Sequence, residues 1–100
     1  MSNVEAKTKT NISVSEPPMF KVIYINDDST AVEFVISSLI DHFEYTPATA
    51  ETITMNIHDN GSAVVAVLPY EIAEQKGIEI TVSARSEGYP LQIKLEPDAA

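Results

Sequence analysis

The chain has 100 residues, 44% hydrophobic and 21% charged, which is typical of one small globular domain and excludes a disordered chain. It has no cysteine, which excludes disulfides and thiolate zinc sites, and no apolar run approaches the ~20 residues that cross a bilayer. The net charge of −9 disfavours nucleic-acid phosphates and favours cationic partners, although an acidic surface also keeps a small protein in solution. Because the N-terminus also lacks a secretion signal, we expect a cytoplasmic protein.

The beginning of the chain divides into an arm and a first strand. Residues 1–18 are polar and aperiodic, and they predict a flexible N-terminal arm before a core domain over 19–97 and a tail over 98–100. The arm holds two lysines and two glutamates, so the core carries the whole negative charge. Phe20–Ile25 is β-branched and aromatic and predicts a strand, which the polar run Asn26–Ser29 ends.

Two helices are predicted next. Thr30 and Glu33 have the spacing of a capping box at a helix start. Apolar residues then recur at helical spacing on one side of the first helix: Val32, Val35, Ile36, Leu39, Ile40 and Phe43. Thr46 followed by Pro47 begins a second helix, and Gly61 ends it. One face of this second helix is expected to hold Ala50, Ile53, Thr54 and Ile57.

The second half of the chain contains one segment that local patterns leave undecided. The apolar run Ser62–Leu68 predicts a buried strand. Within Tyr70–Gly88, Glu71–Lys76 favours a helix, whereas Ile78–Val82 alternates like a strand. Leu91–Glu96 alternates cleanly and predicts a half-buried strand. The order is therefore strand, helix, helix, strand, an undecided segment and strand.

The polar turn Asn26-Asp27-Asp28 is the main candidate for chemistry. One aspartate is expected to cap the following helix, but Asn26 and Asp27 can also accept hydrogen bonds from an ammonium group. His58 lies in the last turn of the second helix, where it either faces solvent or supplies a third acceptor, while His42 is predicted to be exposed. A metal site of Asp27, Asp28 and His58 matches no ligand motif, so no metal or cofactor is predicted. Nothing pairs a nucleophile with a base, so we do not expect an enzyme.

The segment PPMFKVIYINDDSTAVEFVI, residues 17–36, resembles the opening signature of ClpS proteins, the adaptors of AAA+ proteases. The likeness covers residues 17–96 and continues at Ile57-His58-x-x-Gly61, Tyr70–Lys76, Ala84-Arg85 and Tyr89–Leu91. It implies an α/β (α+β) fold, a compact single domain with a three-stranded antiparallel sheet packed by three helices in the order β-α-α-β-α-β. It also implies that the undecided segment is a helix from about Tyr70 to Glu87.

The resemblance also implies a function. ClpS adaptors bind substrates that begin with a destabilising residue (an N-degron), aromatic or leucine, and deliver them to the N-terminal domain of a ClpA or ClpC unfoldase. Transferred to this sequence, the α-amino group would be bound by Asn26, Asp27 and His58. The turn would be supported by Asp28 and Thr30. The hydrophobic pocket would be lined by Val32, Val35, Thr54, Ile57 and Leu91. The unfoldase would contact Glu71, Glu74 and Lys76, and the arm would be engaged during delivery.

The expected partners are therefore N-degron peptides and a Clp unfoldase. We expect no binding to nucleic acid or to a membrane, and we expect the chain to be a monomer.

Some positions depart from the family pattern. Val32 and Thr54 replace the usual methionines, which predicts a shifted preference for the first residue, with less exclusion of isoleucine and valine. Ala31 replaces a helix-opening proline, Pro69 replaces a capping threonine, and Gly77 is expected to destabilise the third helix by ~1 kcal/mol.

Three other interpretations compete with a delivering adaptor. The first is a ClpS-like modulator or inhibitor that occupies the unfoldase without delivering substrates. The second is a domain similar to the C-terminal domain of the ribosomal stalk protein, which lacks the Asn-Asp-Asp turn. The third is a small metal-dependent enzyme, which would require stoichiometric metal. The motif favours the adaptor over all three.

Overall fold

The structure is a computed structural model that describes residues 17–99. Their three strands and three helices are β1 (Met19–Ile25), α1 (Val32–Phe43), α2 (Pro47–Asn60), β2 (Ser62–Pro69), α3 (Tyr70–Ser86) and β3 (Gln92–Pro97). The predicted order and the antiparallel three-stranded sheet are confirmed. The predicted arm lies outside the described residues except for its last two prolines. Over the described residues, the structure contains no helix that could cross a membrane.

The sheet has the strand order β2-β1-β3, so β1 is central and antiparallel to both neighbours. Helix α3 packs against all three strands, α2 against β2, and α1 against the other two helices. Val22 and Tyr24 of β1 are fully buried. The Tyr24 hydroxyl lies 2.8 Å from Ser38 Oγ, which itself donates to the Val35 carbonyl at 2.8 Å. Tyr24 is therefore the donor to Ser38, and this bond ties α1 to the central strand.

The strand predicted over Ser62–Leu68 is confirmed as β2, but the prediction that it is buried is wrong. Val65 is 2% exposed, but Val64 and Val67 are 49% and 41% exposed. β2 is an edge strand, and helices cover only one of its faces. The side chains on that face pack against α2 and α3, whereas those on the other face lie in solvent. Ala66 pairs with Val22 and Val64 with Ile23, so Val65 is the extra residue of a β-bulge.

The predicted capping box at α1 is also wrong. The helix begins at Val32, and its N-cap is Ala31, which supplies no side-chain cap. The Thr30 hydroxyl donates instead to Asp27 in the preceding turn. The predicted Thr46 start and Gly61 end of α2 are confirmed, since Thr46 Oγ1 accepts from the Thr49 amide and Gly61 is left-handed at φ 86°. The inner face of α2 buries Ala50, Thr54 and Ile57, as predicted.

Helix α3 confirms the assignment that the resemblance implied. The alternation over Ile78–Val82 is misleading because Ile80 is fully buried while Ile78 and Val82 are 57% and 63% exposed on the outer side of the helix. His42 was predicted to be exposed but is half-buried, and its Nδ1 lies 3.7 Å from Glu79 Oε1. The packing of α1 against α3 brings these two side chains together.

Candidate functional site

A cavity of about 200 Å³ lies where the end of β1, the start of α1 and the second half of α2 meet. Its lining contains all of the residues that the sequence predicted for binding an N-terminal residue. They are Asn26, Asp27, Asp28, Thr30, Val32, Val35, Thr54, Ile57, His58 and Leu91. Ile25 also lines it and was missed. The signal that could have identified it is its position directly before the polar turn.

The Asp27 carboxylate organises the turn at the cavity rim. Its Oδ1 accepts the amides of Ser29 at 2.8 Å and Thr30 at 2.7 Å, and its Oδ2 accepts the Thr30 hydroxyl at 2.8 Å. This Asx turn replaces the predicted helix cap, because the amides that it satisfies lie before α1. Asp28 is exposed on the same turn. The carboxylate of Asp27 is therefore fixed before any ligand arrives.

Asp27 is also held in its charged form. Partial burial raises the pKa of its carboxyl, but the hydrogen bonds from Thr30 and Ser29 outweigh that effect, and the positive charge of Arg85 adds to them. The net result is a pKa below the ordinary aspartate value. A fixed negative charge therefore stands at the cavity rim at neutral pH.

Asn26 and His58 stand beside this charge with hydrogen-bonding groups available. The Asn26 amide N–H donates to the Gly61 carbonyl at 2.9 Å, which joins the turn to the end of α2. Neither the Asn26 side-chain amide nor the exposed His58 ring bonds to another side chain or carbonyl within residues 17–99. Both residues line the cavity. An amide oxygen and a neutral imidazole nitrogen can both accept hydrogen bonds from a cation.

The remaining wall of the cavity is apolar. Val35, Ile57 and Leu91 are 8%, 3% and 2% exposed, whereas Val32 is 56% exposed. Thr54 is buried, and its hydroxyl donates to the Ala50 carbonyl of the same helix at 2.8 Å. Its hydrogen is therefore not available to a ligand. The wall is suited to an apolar side chain, with Val32 at its open end.

The residues predicted to contact the unfoldase lie apart from the cavity, on α3. Glu71 is exposed, and the Glu74 carboxylate accepts a hydrogen bond from the Tyr70 hydroxyl at 2.8 Å. The Lys76 ammonium lies 5.8 Å from the centre of the Phe43 ring, turned towards α1. Within the described part of the chain, no three histidine, aspartate or glutamate side chains are placed to share a metal ion.

Comparison with known proteins decides the family. The family profile described as "ATP-dependent Clp protease adaptor protein ClpS" matches residues 15–94. The chain belongs to the ClpS family. The ClpS adapter of Clostridium acetobutylicum is 42% identical over 93 residues, covering 93% of this chain and 88% of the relative. ClpS 1 of Rhodopseudomonas palustris is 39% identical over 102 residues, covering 98% and 99%.

A solved structure of the ClpS family confirms the fold. Agrobacterium tumefaciens ClpS2, bound to L-phenylalaninamide, superimposes with a TM-score of 0.79 at 38% identity. The match covers 83% of this chain and 100% of the other. The chain is therefore a ClpS adaptor of the Clp protease and not an enzyme.

Proposed function

We propose that this ClpS-family chain binds proteins by a destabilising N-terminal residue and delivers them to a ClpA- or ClpC-type AAA+ unfoldase. The observation that carries the proposal is the composition of the cavity. A fixed, charged carboxylate (Asp27) stands at its rim with Asn26 and His58, whose side chains have no hydrogen-bond partner among residues 17–99, and an apolar wall lies beside them. The polar rim suits the α-ammonium group of a substrate, and the apolar wall suits the side chain of its first residue.

This arrangement distinguishes the first residue of a chain from internal residues. A protonated α-amino group has three N–H donors and a positive charge, while an internal amide has one donor and no charge. Removing one partner of a desolvated charge pair typically costs ~2–5 kcal/mol. Burial of a leucine or phenylalanine side chain contributes roughly 1.5–3 kcal/mol. The ammonium contacts are therefore decisive, and the apolar wall sets the preference among first residues.

The ligand named for Agrobacterium tumefaciens ClpS2 supports the proposal. L-Phenylalaninamide carries a free α-amino group and a benzyl side chain, which are the two groups that the cavity of this chain suits. The preferred first residue in this chain is proposed to differ from the family pattern, with less exclusion of isoleucine and valine. Val32 is short and lies at the open end of the cavity, and Thr54 is smaller than methionine, so more room remains for a branched side chain.

Delivery is the second half of the proposal. Glu71, Glu74 and Lys76 of α3 are proposed to contact the N-terminal domain of the unfoldase, and the arm over residues 1–18 to be engaged during transfer. The cavity and these α3 residues do not overlap, so substrate and unfoldase can be held at the same time. We propose that the adaptor acts as a monomer in the cytoplasm.

The experiment that tests substrate binding compares two fluorescent peptides by anisotropy. Both have one sequence beginning with phenylalanine, and one of them is N-acetylated. We expect the free peptide to bind and the acetylated peptide to bind at least thirtyfold more weakly, as the loss of ~2 kcal/mol implies. If neither binds, across a panel of first residues, the chain is not an N-degron adaptor. Inhibition of the Clp protease by the chain alone would then indicate a modulator of the unfoldase.

A further inference from the structure

Leu91 forms part of the apolar wall of the cavity, but it lies in a turn and not in a helix. It is 2% exposed and stands directly before β3, which begins at Gln92. The wall residues Val35 and Ile57, by contrast, lie within α1 and α2, whose own hydrogen bonds fix their backbones. The contacts that hold the turn between α3 and β3 therefore set the shape of one side of the cavity.

The end of α3 holds the first part of this turn. Gly88, in the left-handed region at φ 80°, donates its amide to the Arg85 carbonyl at 3.0 Å. The Tyr89 amide donates to the Ala84 carbonyl at 2.9 Å. These two bonds form a Schellman motif, which commonly ends a helix. The motif fixes the amides of the turn and leaves its later carbonyls to other donors.

The Arg85 side chain supplies donors to those carbonyls. Its Nη1 donates to the Tyr89 carbonyl at 2.9 Å and to the Leu91 carbonyl at 2.8 Å. The two carbonyls lie on either side of Pro90, which has no amide hydrogen with which to hold the turn. One guanidinium group therefore spans the segment that carries Leu91, and it does so from the last turn of α3.

The charge of Arg85 has a different effect from its hydrogen bonds. Within residues 17–99, no carboxylate lies at ion-pair distance from its guanidinium group. Its positive charge helps to keep the pKa of the Asp27 carboxyl below the ordinary value. At neutral pH an aspartate is ionised without this help, so towards a bound ammonium group the charge of Arg85 is only repulsive. Electrostatics and positioning therefore predict opposite effects on affinity when Arg85 is removed.

The same turn also contacts α1. The Tyr89 ring packs edge-on against the Phe34 ring, with the ring centres 5.4 Å apart. Helix α1 carries Val32 and Val35, which line the cavity on the side of that helix. A displacement of the turn therefore moves Leu91 relative to the α1 part of the wall.

We propose that Arg85 is a positioning residue of the substrate site. By holding the carbonyls of Tyr89 and Leu91, it keeps the Leu91 side chain in the apolar wall of the cavity. This role rests on the proposed binding of N-degrons and adds a residue that does not itself line the cavity. It concerns the wall and not the rim, so it acts on the choice among first residues and not on recognition of the α-ammonium group.

The test uses the full-length chain and the variant Arg85→Met, which keeps an unbranched stem and removes the donors and the charge. Peptides that begin with phenylalanine and with alanine are compared by competition, at a temperature at which the variant is fully folded. We expect the variant to bind the phenylalanine peptide about fivefold more weakly, since part of the apolar contact is lost. The alanine peptide should be affected less than about twofold, because its methyl group makes little contact with the wall.

Tyr45→Phe is the matched control. It removes another side-chain hydrogen bond to a backbone carbonyl, that of Val65, and neither residue lines the cavity. Both variants should melt at a lower temperature than the parent chain, but only Arg85→Met should lower the ratio of the two affinities. Equal weakening of both peptides by Arg85→Met would make Arg85 a residue of general stability. Unchanged or stronger binding would leave it only an electrostatic effect, and either result overturns the proposed role.

Methyl NMR of the peptide-free chain separates this role from the proposed function. In Arg85→Met, we expect the methyl signals of Leu91 to shift or broaden and those of Leu39, which is fully buried in the core, to keep their parental positions. Unchanged Leu91 signals would overturn the role of Arg85 even if N-degron peptides bind. If the parent chain binds no peptide, the proposed function fails, and the spectra still decide whether Arg85 positions Leu91.

Discussion

The cavity at the end of β1 and the groove between α3 and β3, which Glu74, Ile78 and Val82 help to line, differ in how their side chains are held. The cavity has a polar rim in which Asp27 is fixed by three hydrogen bonds, and Val35, Ile57 and Leu91 of its apolar wall are buried. In the groove, Ile78 and Val82 are exposed, and a single carboxylate, that of Glu74, is oriented by a hydrogen bond from Tyr70. The first suits the proposed recognition of a small charged group, whereas the second offers mainly apolar contact.

This difference separates two sources of binding energy. Charged recognition in the cavity depends on single atoms, so conservative changes there should have large effects on the peptide and none on the unfoldase. Apolar contact, in the groove as along the cavity wall, is distributed over several side chains, so each single change there should have a smaller effect on binding. The predictions below test this separation in order of expected size.

Replacing Asp27 by asparagine should have the largest effect. The variant Asp27→Asn keeps an oxygen that can accept the Ser29 and Thr30 amides but removes the charge that faces the ammonium group. We expect peptide affinity to fall by ~2–5 kcal/mol, measured by anisotropy, with unchanged binding of the unfoldase domain. Asp59→Ala is the matched control, since this exposed carboxylate next to His58 does not line the cavity. Equal losses in the two variants would mean that overall charge, and not the site, attracts the peptide.

Restoring methionine at the two departing positions should change specificity. In the double variant Val32→Met/Thr54→Met, we expect the affinity for peptides that begin with isoleucine or valine to fall about tenfold relative to the affinity for peptides that begin with phenylalanine. The reason is that one methylene in an apolar pocket contributes ~1–3 kcal/mol. Thr54→Val is the control, because it removes the hydroxyl and keeps the size. If the ratio of these two affinities is the same in the double variant and the parent chain, neither position sets the preference.

Acidification should weaken peptide binding through His58. Histidine ordinarily changes charge between pH 5 and 8, and a protonated ring would repel the ammonium group. We expect peptide affinity to be lower at pH 5 than at pH 7.5, because a protonated imidazole cannot accept a hydrogen bond from the ammonium group. Asp27 cannot cause this loss of affinity, because its lowered pKa keeps the carboxylate ionised at pH 5. The stability that ionised Asp27 gives the fold is lost only as the pH falls through that lowered pKa. His58→Gln should bind equally at both pH values, and a fall that persists in it would exclude His58.

Much of the fold was readable from the sequence because it depends on local chemistry. Thr46 and Gly61 set the ends of α2 through a side-chain cap and a left-handed residue, and both need only neighbouring residues. The strand Ser62–Pro69 was also predictable, but its exposure was not, because its composition cannot reveal that it lies at the sheet edge. Helix α3 could not be settled locally, because Gly77 and the alternation over Ile78–Val82 mimic a strand. Only the resemblance to the ClpS family settled it.

The site was readable for a different reason. Asn26, Asp27 and Asp28 are contiguous, so one turn brings most of the polar groups together, and the family motif supplies His58 and Leu91 from distant segments. The role of Thr30 was assigned twice, as a helix cap and as a brace of the turn, and the structure shows its hydroxyl on Asp27.

The smallest expected effect tests whether the fixed rim of the cavity depends on Thr30. Thr30→Val keeps the shape of the side chain and removes its hydrogen bond to Asp27 Oδ2. We expect a loss of ~1 kcal/mol in the free energy of unfolding and a several-fold weaker peptide affinity, because the carboxylate is then less firmly held. Since that bond also lowers the Asp27 pKa, the acid loss of stability should begin at higher pH. Thr52→Val is the control, because Thr52 Oγ1 donates only within α2. A loss of stability without a loss of affinity would show that peptide binding does not depend on the Thr30 hydrogen bond.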